Sequence, residues 1–178
     1  GGGGVGPFAG GGGVGPVAGG GGVGLVAGGG GVGPVARGSG VAIDVRKDSP
    51  YAAYGKLNFN SVLEHGCCVN SRTMVRLHEI FESFSLIRQC IERMPEGEIT
   101  TPMRQIRTAE ACARTEAPRG EVFYYIRTNG TDMPSRLKWR VPSYMNWEAL
   151  TVMMKDCQLA DIPVIVNSID PCVSCTER

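Results

Sequence analysis

The sequence predicts a mainly α-helical fold with a small β portion, an α+β class, and three observations support it. Apolar residues recur at helical spacing between residues 70 and 94. Two β-branched and aromatic runs flank an Asn-Gly turn between residues 121 and 141. All charged residues, 18 basic and 17 acidic, lie in residues 37–178, a stretch long enough for one domain.

Residues 1–36 consist of a nine-residue unit written four times, GGGGVGPVA with small variations. The unit lacks the Asp of calcium-binding β-helices and the strict three-residue glycine period of collagen. Glycine loses much backbone entropy on ordering and buries no side chain, so a flexible tract is expected. The alternative is that one copy is a real structural loop that was duplicated, since the last copy runs directly into Arg37-Gly38-Ser39-Gly40.

The strongest local signal is a helix that Asn70 or Ser71 begins and that ends near Met94, before Pro95 and Gly97. Its apolar residues form one stripe, which can stay partly exposed and drive association. The stripe consists of Met74, Leu77, Ile80, Phe81, Phe84, Ile87, Ile91 and Met94.

The remaining elements follow from β-branched runs, turn residues and caps. They are a strand at Val41–Val45, a polar loop with a short helix in residues 98–115, strands at Glu121–Thr128 and Leu137–Val141, and a helix capped by Asn146 that runs from Trp147 to about Asp156.

Charge and hydropathy exclude several functions. A net charge of +1 leaves no basic excess for nucleic acid. No run of roughly 18 apolar residues is present to span a membrane. The glycine-rich start lacks the features of a signal peptide. Seven cysteines, an odd number, together with the missing signal-peptide features, favour a reducing compartment and thiols rather than disulfides.

Cys172 and Cys175 form a C-x-x-C turn stiffened by Asp170-Pro171. Two thiolates at this spacing can converge on one soft metal ion. Taken alone, the motif also fits half of a zinc site, a redox pair or no function. A thioredoxin-type pair opens a helix after a strand, and the place of this motif at the end of the sequence disfavours that interpretation.

The other cysteines have weaker signals. Cys90 and Cys157 lie among apolar residues and are expected to be buried, and Cys112 is expected to be structural. Cys67 and Cys68 follow His65 in a glycine-containing loop and are candidates for additional metal ligands. The alternative is a reactive loop that binds no metal. His78 is expected at the surface or in the core.

The span from about Gly33 to Arg178 resembles the C-terminal half of the large subunit of nickel–iron hydrogenases, in particular the energy-converting (Ech-like, group 4) class. Relatives of that class include the 49 kDa subunit of respiratory complex I. The strings that carry the resemblance are GPVARGSG at 33–40, DVRKDSPYA at 44–52, EIFES at 79–83, EAPRGE at 116–121, RVPSYMNW at 140–147, IPVIVNSID at 162–170 and DPCVSCTER at 170–178.

The resemblance implies a catalytic centre of nickel and of iron with cyanide and carbonyl ligands. Cys172 would be a terminal nickel ligand that can carry a proton, and Cys175 would bridge nickel and iron. Arg119 would lie over the open metal position, where its permanent charge can orient a substrate. The implied reaction is reversible interconversion of dihydrogen with protons and electrons.

The resemblance also implies supporting residues. Pro118, Pro142 and Ser143 would surround the diatomic ligands of the iron, and Asp170 would position Arg119. Arg178 matches the place where a maturation protease trims the family's tail.

The implied partners are an iron–sulfur small subunit, membrane subunits and maturation proteins, with the chain cytoplasmic and peripheral to the membrane. The family's second C-x-x-C motif is absent from this sequence. A truncated, rearranged or designed large subunit is therefore the leading hypothesis. One alternative is a non-catalytic scaffold or metal-binding fragment. The other is a quinone-chamber subunit of the complex I type, although that relative has lost the metal-binding cysteines.

Overall fold

A computed structural model describes residues 31–100, 102, 105–155 and 157–177 of the chain. The predictions for residues 1–30 and for Arg178 lie outside these residues. The elements are α1 Pro34–Arg37, α2 Val45–Asp48, α3 Val69–Glu92, β1 Glu110–Ala117, β2 Gly120–Arg127, β3 Arg136–Arg140, α4 Pro142–Met153, α5 Ile162–Ser168 and α6 Val173–Thr176, with short 3-10 turns at Tyr54–Lys56 and Leu159–Asp161.

The predicted α+β class is confirmed. The three strands form an antiparallel sheet in the order β1-β2-β3. Ala117 pairs with Gly120, so only Pro118 and Arg119 connect β1 to β2. In the described part of the chain no helix is both long and apolar enough to cross a membrane.

The long helix is confirmed as α3, but its apolar stripe points away from the body. Leu77, Phe84 and Ile91 are 46%, 55% and 65% exposed. The prediction that Cys90 is buried is wrong, because Cys90 lies on this outward side and is exposed. The polar side of α3 faces inward instead. There Leu86 is buried and Gln89 exchanges hydrogen bonds with the backbone of Asn58.

Three other expectations are wrong for identifiable reasons. Residues 41–45 form no strand, because the side chain of Asp44 accepts a hydrogen bond from the Arg46 amide and caps α2. A strand, β1, stands where the sequence favours a loop and a short helix, because it pairs through its backbone while most of its side chains are exposed. Helix α4 begins at Pro142 and not at Trp147, since proline suits the first helical position.

The apolar core lies between α1, α4 and α5. Its buried members are Val35, Ala149, Leu150, Met153, Ile165 and Ile169, and Cys68 and Cys157 pack partly buried against it. Residues 33–39, which include the end of the last repeat, are buried. This part of the last repeat is therefore integral to the folded body.

Gly33 and the β1–β2 turn are in close backbone contact. A Cβ atom on Gly33 would lie 2.5 Å from the Arg119 carbonyl oxygen, and one on Gly120 would lie 2.7 Å from the Gly33 nitrogen. Gly33 also has φ +59, a left-handed conformation that favours glycine. The glycines thus allow the last repeat to lie directly against the turn.

A buried ion-pair network joins α1, α3 and β1. Arg37 is 1% exposed, and its guanidinium contacts Glu79 at 2.7 Å and Glu116 at 2.8 Å. Arg46 reaches Glu79 at 3.1 Å and so adds α2 to the network. Burial raises the pKa of Glu116, although the charge of Arg37 opposes the shift. The network fixes the sheet to α3.

We expect Gly33→Ala to destabilise the fold by about 2 kcal/mol or more, because the new methyl group meets backbone and the positive φ is strained. Gly55→Ala is the control, since its Cβ atom would meet only Pro50 at 3.7 Å. Urea unfolding of both variants measures the difference. Equal losses would show that the close contact is not limiting.

Arg37→Ala is expected to cost about 3–5 kcal/mol, because it removes the ion-pair partner of the buried Glu116 and leaves Glu79 paired with Arg46 alone. Arg127→Ala is the matched control and should change stability by less than about 1 kcal/mol, because exposed pairs contribute little. Arg127 pairs with Glu110 at 3.2 Å while both side chains are more than half exposed. Chemical denaturation compares them, and a similar small loss in both would contradict the role of the network.

Candidate metal centre

Arg119 is presented by the two-residue turn between β1 and β2. Its Nε donates a 2.6 Å hydrogen bond to the Asp170 carbonyl oxygen, and its Nη2 donates to Asp170 Oδ1 at 3.2 Å. Because both strands are paired up to the turn, the backbone of Arg119 is fixed. The contact with Asp170 then sets the direction of the guanidinium beside the C-terminal segment.

The C-terminal turn is held against α4 by two hydrogen bonds, and a third lies within the turn. The Cys172 amide donates to Ser143 Oγ at 3.1 Å. Trp147 Nε1 donates to Thr176 Oγ1 at 3.0 Å, and that hydroxyl donates to the Cys172 carbonyl at 3.0 Å. Asp170 has φ +53, a conformation that turns the chain sharply before Pro171. Ser143 and Pro142 are both buried under this turn.

The two thiols of the turn interact and differ in acidity. Hydrogen bonds from Ser174 and Cys175 lower the pKa of Cys172 to about 7. The pKa of Cys175 is raised, since its proton is shared with Cys172 and it is partly desolvated. A convergent pair in which one thiol ionises easily is a suitable donor set for a soft metal ion.

The structure thus brings together Arg119, Asp170, Pro142, Ser143 and the two C-terminal cysteines. Pro118 lies next to Arg119 in the turn and lines an adjoining cleft of about 450 Å³. The cleft also contains Asp170, Arg76, Tyr54 and Phe84. It is therefore an open space directly beside the candidate centre.

Cys67 and Cys68 lie in a different environment, at the start of α3. Cys67 is buried with φ +52, and Cys68 Sγ is 3.5 Å from Ser71 Oγ. Among the described residues, no group of three or more His, Cys, Asp or Glu side chains is placed to hold a metal ion. The resemblance implies four thiolates, two from each of the family's C-x-x-C motifs, and the two C-terminal thiols fit half of that set. Recruitment of Cys67 and Cys68 stays a prediction.

Arg72 is a buried charge that the sequence does not reveal. It is fully buried, its Nε donates to Ser168 Oγ at 2.8 Å, and neither Nη atom has a partner in the described structure. Desolvation lowers its pKa to about 10, while the neighbouring Cys68 and Cys67 oppose the shift. Its position in a helix otherwise rich in exposed charges gives no sequence signal.

The sequence predicts that Asn146 caps a helix, and this prediction is wrong because the helix begins earlier, at Pro142. Asn146 has another role. It is fully buried, its Oδ1 accepts the Val32 amide at 2.9 Å, and its Nδ2 donates to the Arg119 carbonyl at 3.3 Å. The side chain therefore joins the last repeat, α4 and the turn that carries Arg119. The sequence signal that could have indicated this buried role is a polar residue inside the apolar pattern of α4.

Comparison with known proteins identifies the family. A family model described as respiratory-chain NADH dehydrogenase, 49 Kd subunit, matches residues 26–110 and 100–178. The chain belongs to this family, and the resemblance inferred from the sequence is confirmed.

Relatives include both hydrogenases and components of NADH-quinone oxidoreductases. The carbon monoxide-induced hydrogenase of Rhodospirillum rubrum is 60% identical over 139 residues, which are 77% of this chain and 38% of that protein. An NADH-quinone oxidoreductase subunit of Wolbachia pipientis wMel is 36% identical over 72% of this chain and 40% of its own length. Formate hydrogenlyase subunit 5 of Escherichia coli K12 is 35% identical over 77% of this chain and 24% of its own. The chain spans less than half the length of these relatives.

We expect Cys172 to be the first C-terminal thiol to react with iodoacetamide, with a midpoint near pH 7 in the metal-free protein. Ser174→Ala removes the main hydrogen bond to the thiolate and should shift the midpoint toward 9, the ordinary value. Ser135→Ala, in an exposed loop, is the control. Peptide mass spectrometry over a pH series measures the rates, and an unchanged midpoint in Ser174→Ala would exclude this cause.

Proposed function

We propose that the chain is part of the large, catalytic subunit of an energy-converting nickel–iron hydrogenase. The observation that carries the proposal is the convergent pair Cys172 and Cys175 beside the fixed guanidinium of Arg119. The 60% identity to the carbon monoxide-induced hydrogenase supports the same class.

Each residue of the site has a task in this proposal. Cys172 and Cys175 would hold the nickel–iron centre, which supplies the redox chemistry and the cleavage of dihydrogen when bound. Cys172 Sγ, near the surface of the turn, is the atom that takes up and releases a proton. Arg119 keeps a positive charge beside it, and Asp170 keeps that charge in place.

The second layer of residues limits movement and water. Ser143 fixes the backbone of Cys172 through its hydroxyl, and Pro142 offers no N–H group to compete for it. Buried, positioned groups of this kind tune a metal centre through solvent access and hydrogen bonding. Pro142, Pro118 and Ser143 are proposed to surround the diatomic ligands of the iron.

The proposal includes partners, since the relatives named as hydrogenlyase and oxidoreductase subunits are parts of assemblies. An iron–sulfur small subunit would deliver electrons, and maturation proteins would insert the metals. Membrane subunits would hold the chain at the cytoplasmic face of the membrane.

A quinone chamber is the second candidate, and the cleft favours it. The cleft has about 450 Å³ and combines Tyr54, Phe84 and Ile87 with charged side chains, a lining suited to an apolar ring with polar substituents. The thiol pair has no task in that function, so hydrogenase is preferred. A scaffold that binds a metal only through Cys172 and Cys175 would retain metal without activity.

Cys172→Ser is expected to lower nickel content at least tenfold when the chain is co-expressed with the small subunit and maturation proteins, since a hydroxyl is a poor ligand for soft metals. Cys112→Ser, on the exposed face of β1, is the control. Elemental analysis measures nickel, and infrared bands of cyanide and carbonyl report the iron. In the unsubstituted chain, nickel without these bands would support the metal-binding scaffold, and the absence of both nickel and the bands would refute the hydrogenase proposal.

Arg119→Lys is expected to reduce about 100-fold the rate at which the metal-loaded enzyme exchanges deuterium gas with the protons of water. The reason is that lysine cannot reproduce the two-point contact with Asp170. Nickel content should stay unchanged, since Arg119 is not a ligand. Arg114→Lys, whose side chain is half exposed, is the comparison. Activity retained in Arg119→Lys would contradict the assigned role.

A further inference from the structure

The C-terminal thiol pair lies on a single helical turn. Helix α6 covers only Val173–Thr176, and Cys172 directly precedes it. The Thr176 amide donates to the Cys172 carbonyl oxygen at 3.2 Å and closes this turn. The turn brings Cys175 close enough to hydrogen-bond to the Cys172 sulfur. The thiol turn, as we define it, consists of residues 172–176, and the two thiols converge only while it is formed.

A helix of one turn is not stable by itself. Forming the first turn fixes several backbone dihedral angles in return for one hydrogen bond, so an isolated turn is mostly open. Contacts from outside must therefore hold the thiol turn in its folded form. In the described structure, two side chains of α4 make such contacts.

Ser143 and Trp147 are four residues apart on α4, so they lie on the same side of that helix, one turn apart. Ser143 Oγ accepts the Cys172 amide at 3.1 Å, at the beginning of the thiol turn. Trp147 Nε1 donates to Thr176 Oγ1 at 3.0 Å, at its end. Helix α4 is anchored in the apolar core through buried residues such as Leu150. A fixed helix thus contacts both ends of the thiol turn.

The Thr176 hydroxyl connects the indole of Trp147 to the first cysteine. A hydroxyl can accept one hydrogen bond while it donates another, whereas an indole N–H can only donate. Thr176 Oγ1 accepts from Trp147 Nε1 and donates to the Cys172 carbonyl oxygen at 3.0 Å. Removal of this hydroxyl would therefore break the connection to α4 and also one of the two bonds that Thr176 makes to Cys172.

We propose that Trp147 and Thr176 are positioning residues that keep the thiols of Cys172 and Cys175 together for binding one metal ion. Ser143 fixes the first residue of the thiol turn, and the hydrogen bond between Trp147 and Thr176 fixes the last. Because the turn is formed before the metal binds, less conformational freedom is lost on binding. The inference rests on the proposed function, since it assumes that the thiol pair binds a metal ion.

The position of the thiols is tested without metal by dibromobimane, a reagent that bridges two neighbouring thiols. We expect Thr176→Val, which keeps the side-chain shape but lacks the hydroxyl, to slow bridging of Cys172 to Cys175 about fivefold in the full chain. The rates are taken relative to monobromobimane, which needs only one thiol, and peptide mass spectrometry identifies the bridged pair. Thr176→Ser retains the hydroxyl and should bridge like the unsubstituted chain.

Thr151→Val is the matched control for loss of a threonine hydroxyl. Thr151 Oγ1 donates to the Glu148 carbonyl oxygen at 2.7 Å within α4 and does not reach the thiol turn. This variant should bridge at the unchanged rate. Urea unfolding should give the same midpoint for Thr176→Val and the unsubstituted chain, because Thr176 lies exposed at the end of the fold. Equal bridging in Thr176→Val and Thr176→Ser, or slower bridging that only follows a loss of stability, would overturn the proposal.

A double-mutant cycle tests the contact between the two positioning residues. Trp147→Phe keeps an aromatic ring but lacks the N–H group, so it should slow bridging by no more than Thr176→Val does. The two substitutions together should slow bridging little more than Thr176→Val alone, because both remove the same hydrogen bond. Effects that multiply in the double variant would show that Trp147 does not act through Thr176.

Binding of Co²⁺ to the full chain separates this inference from the proposed function. The signal of the C-terminal pair is the thiolate-to-cobalt absorption that Cys172→Ser removes. Thr176→Val should weaken Co²⁺ binding at this pair about fivefold, and Thr176→Ser should not. Unchanged affinity in Thr176→Val would overturn the positioning role. Normal bridging and Co²⁺ binding in a chain that never acquires nickel or the infrared bands would instead count against the hydrogenase proposal alone.

Discussion

The backbone contact between Gly33 and the turn at Arg119 and Gly120 is the constraint on which the site depends. The chain can approach this closely only because neither glycine has a Cβ atom. The contact places the end of the last repeat beneath the turn, and Arg37 follows four residues later to bind Glu116 of β1. Hairpin, first helix and long helix are thereby fixed relative to one another before any metal is bound. This arrangement fixes the position of the Arg119 backbone. The hydrogen bond to Asp170 sets only the direction of the Arg119 side chain.

Two arginine side chains, Arg37 and Arg72, are buried in the described part of the molecule. Arg37 is buried with two carboxylate partners, whereas Arg72 is buried with a single hydroxyl on its guanidinium. A buried pair contributes little net stability but is costly to break, which favours one arrangement over its competitors. Arg72 is stabilised less and its pKa falls accordingly. The position of α3 against the body is therefore fixed by paired charges at Glu79. Near the start of the helix, beside Cys67 and Cys68, the buried charge of Arg72 has no such partner.

The sequence predicted the elements whose signal is local. The helical spacing of apolar residues was sufficient to predict α3, and the aromatic run was sufficient to predict β2. The motifs led correctly to the family. It could not reveal which side of α3 faces inward, because that choice depends on partners distant in sequence such as Arg37 and Asn60. An edge strand such as β1, with exposed side chains, needs only backbone pairing and so leaves no pattern in the sequence. The proximity of Arg119 and Asp170 followed from the family resemblance, whereas the polar residue in the apolar pattern of α4 marks Asn146 without indicating its partners, Val32 and Arg119.

Asn146 has a consequence for which residues the position can accept. Its amide group accepts a hydrogen bond from the Val32 amide on one side and donates one to the Arg119 carbonyl on the other. An aspartate has the same shape but offers two acceptors, so it would leave two oxygen atoms facing each other in a buried space. Leucine would fill the volume and satisfy neither group. Deamidation of this one side chain would thus replace the hydrogen bond to the Arg119 carbonyl with an oxygen–oxygen contact and weaken the link between the repeat and the turn that carries the arginine.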